Sequence, residues 1–323
     1  MLEAMFAANV GDDVYGEDPE VNTLQEKLAA FFGTEAGLFC PSGTMCNQIA
    51  IKLSTQPQSE VICEEKSHIY LYEGGGIAAN SMASVRLLKG DFGRITHKSV
   101  EANINADNEH FSVTSLVSLE NTSNKGGGSC YKWEEIANIS EVCKKHDLRL
   151  HLDGARIFNA LIAKGDDPKK YGEAFNTISI CLSKGLGAPV GSVLLGSKKD
   201  IKQAVRVRKL FGGGMRQAGY LAAAGIYALD NHVDRLAEDH HRAKVIGKVL
   251  ENLSWVVDVM PIETNIIGFK PDPTGKPLNQ ILDELKSQDI LANAFGNGYL
   301  RFVTHLDITD QMTEKLITAL KQL

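Results

Sequence analysis

The chain lacks a strong excess of charge. Its 34 basic and 40 acidic residues leave a formal net charge of -6 over 323 residues, with no long block of either sign. Neither nucleic acid nor an anionic membrane is therefore indicated as a partner, and a small neutral or zwitterionic ligand fits better. Paired cysteine spacing is also missing: Cys40, Cys46, Cys63, Cys130, Cys143 and Cys181 are scattered without a CxxC motif. That pattern calls for no metal and points to reduced thiols in a cytoplasmic protein. No apolar run reaches the roughly 18 residues of a membrane span without Gly, Ser or Pro, residues 176–197 coming nearest. The start, MLEAMFAANVGDD, has no basic stretch leading into an apolar one. Internal repeats and low-complexity segments are absent too. What is present is 43% hydrophobic content, enough for a large core in one or two domains.

The pattern along the chain alternates helix and strand. EDPEVNTLQEKLAAFFG places Asp18 at an N-cap, Pro19 at the first helical position and Gly33 at the stop, with Val21, Leu24, Leu28 and Phe31 expected on the buried face. GLFC reads as a strand running into the helix of PSGTMCNQIAIKL. SEVICEE, ASVRLLKG and FSVTSLVSLEN are short apolar runs bounded by turns, as expected of strands covered on both faces. The amphipathic WEEIANISEVCKKHD feeds the strand LRLHLDG, and NTISICL and GSVLLG add two more. This is an α/β sequence with a mostly parallel sheet. Past Gly247 the texture shifts to the strands WVVDVM, NIIGFK and YLRFVTH and the helices LNQILDELKSQ and DQMTEKLITALKQ. The expected division is a large domain over 1–247 and a small α+β domain over 248–323.

Four positions stand out chemically. Asp153 ends a buried strand and is followed at once by Gly154 and Arg156; ligands of open α/β sheets bind at such strand ends. Lys184 is the one charged residue between Glu173 and Lys198. PSGT opens a helix whose free N–H groups suit a phosphate, and His68 lies in EEKSHIYLYEGGG. Each has an ordinary reading: a helix cap or a salt bridge to Arg156, a turn-tip lysine, a capped helix, a surface histidine. Taken in order, they form the set pyridoxal phosphate requires. A lysine condenses with its aldehyde, a carboxylate pairs with the pyridine nitrogen, a helix start takes the phosphate and a flat ring covers the pyridine face. The glycine-lined, apolar setting of Lys184 is expected to disfavour its ammonium form.

Eight segments in order carry a resemblance: GDDVYGEDP, PSGTMCNQIA, SHIYLYEGGG, SLENT, LHLDGARIFNA, SKGLGAPVGSVLLG, GGGMRQAG and LRFVTH. Through them the chain resembles the low-specificity L-threonine aldolases of the fold-type I, aspartate-aminotransferase-like pyridoxal phosphate enzymes. The resemblance implies a seven-stranded-type sheet flanked by helices in the large domain. It implies that Lys184 bonds to the cofactor, that Asp153 pairs with the pyridine nitrogen, and that Gly43 and Thr44 form part of the phosphate cup. His68 would stack on the ring and is also the candidate base, the two roles remaining open. Arg156 and Arg301 would hold the amino-acid carboxylate. The implied assembly is a homotetramer, a dimer of dimers with active sites between subunits, in which Tyr15 and Arg216 reach a neighbour's cofactor. The implied reaction is retro-aldol cleavage of L-threonine or L-allo-threonine to glycine and an aldehyde. A β-eliminating lyase, aminotransferase or racemase would use the same groups, and a non-catalytic cofactor-binding protein is the reading outside enzymes.

Two departures from the family pattern stand out. Where many members carry a histidine after ENT, this chain has Ser123, a poor base that is left with at most a hydrogen bond to the substrate hydroxyl. The usual Ser-Asp-Thr start is replaced by MLEAMFAANV, an uncapped helix with Leu2, Met5 and Phe6 on one face. Met1 is accordingly expected to be internal to a longer chain, and catalysis to be weakened by about 1 to 3 kcal/mol for a lost hydrogen bond to a charged group.

Overall fold

The computed structural model describes all 323 residues, Met1–Leu323. Its larger sheet has seven strands: β1 (Ala36–Cys40), β2 (Ser59–Glu64), β3 (Ser84–Leu88), β4 (Val113–Glu120), β5 (Arg149–Gly154), β6 (Thr177–Cys181) and β7 (Ser192–Gly196). They lie in the order β1-β7-β6-β5-β4-β2-β3. Strands β6, β5, β4, β2 and β3 are parallel, and β7 runs antiparallel to both its neighbours, β6 and β1. Helices cover both faces, so β2, β6 and β7 are buried at every position. This is why their sequences are continuous apolar runs without alternation.

The parallel direction decides where the functional side chains gather. Glu120, Asp153 and Cys181 all lie at the carboxyl ends of adjacent strands, Glu120 opposite Asp153 and Asp153 opposite Ser179. Strand β1 points the same way, and Cys40 and Cys181 both face Ser192 of β7. The helix Gly43–Ser54 therefore starts on that same edge.

A second sheet, all antiparallel, comprises β8 (Val256–Val259), β9 (Ile266–Pro271), β10 (Asn293–Gly296) and β11 (Tyr299–Val303) in the order β10-β11-β9-β8. The helices Leu278–Lys286 and Asp310–Gln322 pack on it around Ile267, Phe269, Leu300 and Phe302. The helix Leu236–Leu250 spans both cores: Leu236 packs in the large one, Ala243, Ile246 and Leu250 in the small one. No helix is long and apolar enough to cross a membrane.

Caps follow the expected chemistry. The Asp18 carboxylate accepts from the N–H groups of Glu20 and Val21, Pro19 opens the helix Pro19–Phe32, and Gly33 closes it at φ 69°. One expectation needs correction. Phe32, not Phe31, fills the core, and Phe31 is 42% exposed. The helix Leu2–Phe6 is uncapped as anticipated, and its Leu2 and Phe6 face solvent.

Candidate active site

Asp153, 3% exposed at the end of β5, is held by two donors. Its Oδ1 accepts from the Ala155 N–H at 3.2 Å and its Oδ2 from Asn47 Nδ2 at 2.9 Å. Asn47 comes from the second turn of the helix Gly43–Ser54. Its other amide hydrogen goes to Glu73 Oε1 at 2.8 Å, and its Oδ1 meets Nε2 of His151 at 3.1 Å. Burial pushes His151 down to about 4, so the ring is neutral at pH 7. Its Nε2–H then donates to Asn47, and Nδ1 accepts from the Thr177 hydroxyl at 2.9 Å. A buried chain of hydrogen bonds thus aims one carboxylate edge of Asp153 out of the sheet. The ordinary readings of Asp153 do not apply, because Asp153 forms no ion pair with Arg156 and the helix Ile157–Lys164 has no side-chain cap.

Glu73 is fully buried and accepts from Asn47, from Gln48 Nε2 at 2.7 Å and from His68 Nδ1 at 2.9 Å. Against that carboxylate oxygen, Nδ1 is the ring nitrogen that carries hydrogen, which leaves Nε2 with its lone pair in the neutral imidazole. The Glu73 contact raises the His68 pKa above its ordinary value. Ligand atoms of His68, Glu73 and Asp153 lie within 4.8 Å of one another.

Lys184 lies in the loop between β6 and β7, three residues past Cys181. Its side chain is half-buried. Its ammonium is near enough to oppose protonation of His68 and to favour the Cys181 thiolate. The apolar residues on either side of it in sequence belong to the two buried strands β6 and β7.

The remaining cations are Arg156 and Arg301. Burial lowers the pKa of each, and the charge of Arg301 adds to the lowering at Arg156. No carboxylate lies within salt-bridge distance of either, although most arginines of the chain have one. Arg301 Nη1 donates to Asn124 Oδ1 at 2.9 Å, its plane sits 5.2 Å from the Phe295 ring, and its buried Nε has no acceptor. Partly buried guanidinium groups without an acid partner are costly unless an anion completes them. At the helix start, Ser42 Oγ accepts from the Met45 N–H, while the N–H groups of Gly43 and Thr44 have no acceptor within the protein. Gly43 must lack a side chain, since a Cβ there would overlap the Cys181 sulfur. Anion cradle, carboxylate, imidazole, lysine and two unpaired arginines fit the donor set pyridoxal phosphate and an amino-acid carboxylate need.

Three expected residues lie outside this cluster. Ser123 is buried beneath Gly93, and its Oγ accepts from the Gly126 N–H at 3.2 Å, which makes it a turn residue. Tyr15 is 71% exposed, under the Arg216 guanidinium at 5.8 Å, and Arg216 is bound bidentately to Asp12. Asn47, Glu73, Glu120 and His151 are site residues that pattern reading passed over. His151 was within reach, because it precedes Asp153 by two on a strand and so shares its face.

The family model for β-eliminating lyases matches residues 1–271. The low-specificity L-threonine aldolase of Escherichia coli K12 is 43% identical over 97% of this chain and 92% of its own length. A probable low-specificity L-threonine aldolase of Arabidopsis thaliana is 39% identical over 100% of this chain and 93% of its own. The solved threonine aldolase of Leishmania major superposes with a TM-score of 0.84 over 98% of this chain and 92% of that one. At 22% identity it speaks for the fold alone, and the expected fold-type I architecture is borne out. With this coverage the chain belongs to the β-eliminating lyase family, on the branch of the low-specificity L-threonine aldolases.

Proposed function

We propose that this protein cleaves L-threonine and L-allo-threonine to glycine and an aldehyde, with pyridoxal phosphate as cofactor. The observation that carries the reading is one strand edge where Lys184, Asp153 and the His68–Glu73 pair meet two arginines without acid partners. Bound there, the cofactor supplies an aldehyde that condenses with amines and a ring that accepts the electron pair left when Cα–Cβ breaks.

The protein's own groups do the rest. Asp153, fixed by Asn47 and the Ala155 N–H, would pair with the pyridine nitrogen and keep it protonated, and the N–H groups of Gly43 and Thr44 would take the phosphate. Lys184 is the amine that would hold the cofactor's aldehyde. His68 Nε2 takes the β-hydroxyl proton, and Glu73 stabilises the imidazolium that results. Arg156 and Arg301 fix the carboxylate. Tyr72, Lys125 and Phe295 wall an open cavity of about 520 Å³ beside this site. Homotetrameric assembly fits the same reading, the exposed Tyr15–Arg216 pair facing a neighbouring active site. Six free thiols, all buried, fit a reducing cytoplasm.

Assay of purified protein with threonine tests the proposal: aldehyde and glycine are expected. Release of a 2-oxo acid and ammonia in their place would identify an eliminating lyase. Arg301→Ala removes a charge-assisted contact of about 1.5–3 kcal/mol, so KM for threonine is expected to rise about ten- to a hundredfold with the cofactor spectrum unchanged. Loss of cofactor in that variant would mark Arg301 as structural.

The pH profile has a defined sign. His68 acts as a base when neutral, and Glu73 raises its pKa, so kcat is expected to fall on acidification with a midpoint above the ordinary histidine value of about 6.5. Glu73→Gln withdraws the anion and should move that midpoint down. A midpoint that stays put would rule out the pair as the base.

A further inference from the structure

Glu120 takes no direct part in the chemistry described above, yet it lies between two groups that do. It ends β4, is buried, and stands opposite Asp153 in the neighbouring strand. Arg156 and His68 face it at longer range, but no cation lies within ion-pair distance. Its two oxygens are divided between two segments. Oε2 accepts the main-chain N–H of His68 at 2.8 Å, and Oε1 accepts the main-chain N–H of Asn124 at 2.8 Å. Asn124 in turn accepts from Arg301 Nη1 through its side-chain oxygen at 2.9 Å. One carboxylate therefore ties the segment carrying the imidazole to the segment that orients the guanidinium, although the two are more than fifty residues apart in sequence.

We infer that Glu120 is a positioning residue that fixes His68 and Arg301 at a set spacing, so that β-hydroxyl and carboxylate of one substrate are engaged together. This rests on the roles proposed above for His68 and Arg301. A carboxylate is needed because each segment presents an N–H donor and the bridge must offer two acceptor oxygens. An amide of the same shape has one, and its NH₂ would face a donor. Burial and Asp153 push the Glu120 carboxyl up to about 7. Keeping a carboxylate there works against stability, which fits retention for geometry.

The test uses the holoenzyme and five variants, one of them a double. Glu120→Gln is expected to keep the cofactor spectrum and affinity, since Lys184, Asp153 and Gly43 are not touched, while kcat falls and KM for threonine rises, each by about tenfold for one lost bond to a charged acceptor. Asn124→Ala cuts only the arm to Arg301 and should move mainly KM. Combining the two should raise KM no further than the larger single effect, because both act through Arg301. Wild-type kcat and KM in Glu120→Gln, or fully additive KM effects, would overturn the inference. If Glu120→Gln does not give folded holoenzyme, Glu120→Asp decides. It keeps the charge but reaches only one of the two N–H groups, so the same kinetic loss is expected, and wild-type constants would refute the bridge. Arg301→Ala, run alongside, separates the two levels. No change of KM there overturns the carboxylate reading itself, whereas a raised KM there with an unaffected Glu120→Gln overturns only the bridge.

Discussion

Replacing Lys184 by alanine is expected to lower threonine cleavage by at least about a thousandfold, since covalent capture and a positioned proton-transfer group are lost together. The fold should be nearly unaffected. The Lys184 side chain makes no hydrogen bond or ion pair within the protein, and only its carbonyl is used, accepting from the Gly187 N–H at 2.9 Å. The anion cradle at Gly43 and the carboxylate of Asp153 survive the change, so the cofactor should still bind, but reversibly. Three measurements check this: aldehyde release, colour, and sensitivity to borohydride. Wild-type protein should be yellow and should be bleached by borohydride with the cofactor fixed to the chain, whereas in the variant borohydride should fix none. Turnover near wild type in Lys184→Ala would end the proposal as a whole.

Asp153→Asn is expected to be nearly as damaging and by a different route. The substitution preserves shape, and the Ala155 N–H can still donate to an amide oxygen at 153. What disappears is the negative charge against the pyridine nitrogen. Removing one partner of a buried charge pair costs about 3–5 kcal/mol, which as lost transition-state stabilisation is a fall in kcat of a few hundred- to a few thousandfold. Cofactor affinity should weaken as well, so the comparison is made at saturating pyridoxal phosphate. Some stability should be lost as well, because with its oxygen on the Ala155 N–H the amide at 153 turns its NH₂ toward the Asn47 donor that Asp153 Oδ2 accepted, although Asn47 and His151 remain joined to each other and to Thr177. A kcat close to wild type would show that the charge at 153 is not what sustains the reaction.

Much of the fold was legible in the sequence because local signals are direct records of local geometry. The runs SEVICE, TISIC and SVLLG are apolar throughout since both faces of the sheet are covered. Asp18, Pro19 and Gly33 mark a helix that begins and ends where they predict. Errors arose where a tertiary neighbour chose between equivalents. Phe31 and Phe32 lie about 100° apart around the same helix; both rings approach Phe158, and only the packing of Phe32 into the large core decided which is buried. Strand β10 was missed because it is four residues long, ends in a glycine and has only Phe295 buried.

By itself the sequence determined the groups that act alone: a lysine in a loop between two apolar strands, a carboxylate at a strand end and a glycine-led helix start. Each is tied to a local break in periodicity, and such breaks are visible without knowledge of any contact. Only the tertiary structure decided how those groups are partnered. Asn47 reaches Asp153 across 106 positions and Glu73 across 26, and Glu120 reaches the His68 N–H across 52. That Arg156 and Arg301 have no acid of their own is likewise a fact about every carboxylate in the molecule at once. The physical reason is range. Periodicity and capping act within a few residues along the chain, whereas a hydrogen bond acts over about 3 Å in space, and it is the parallel order of β4, β5 and β6 that brings those distant side chains to one edge.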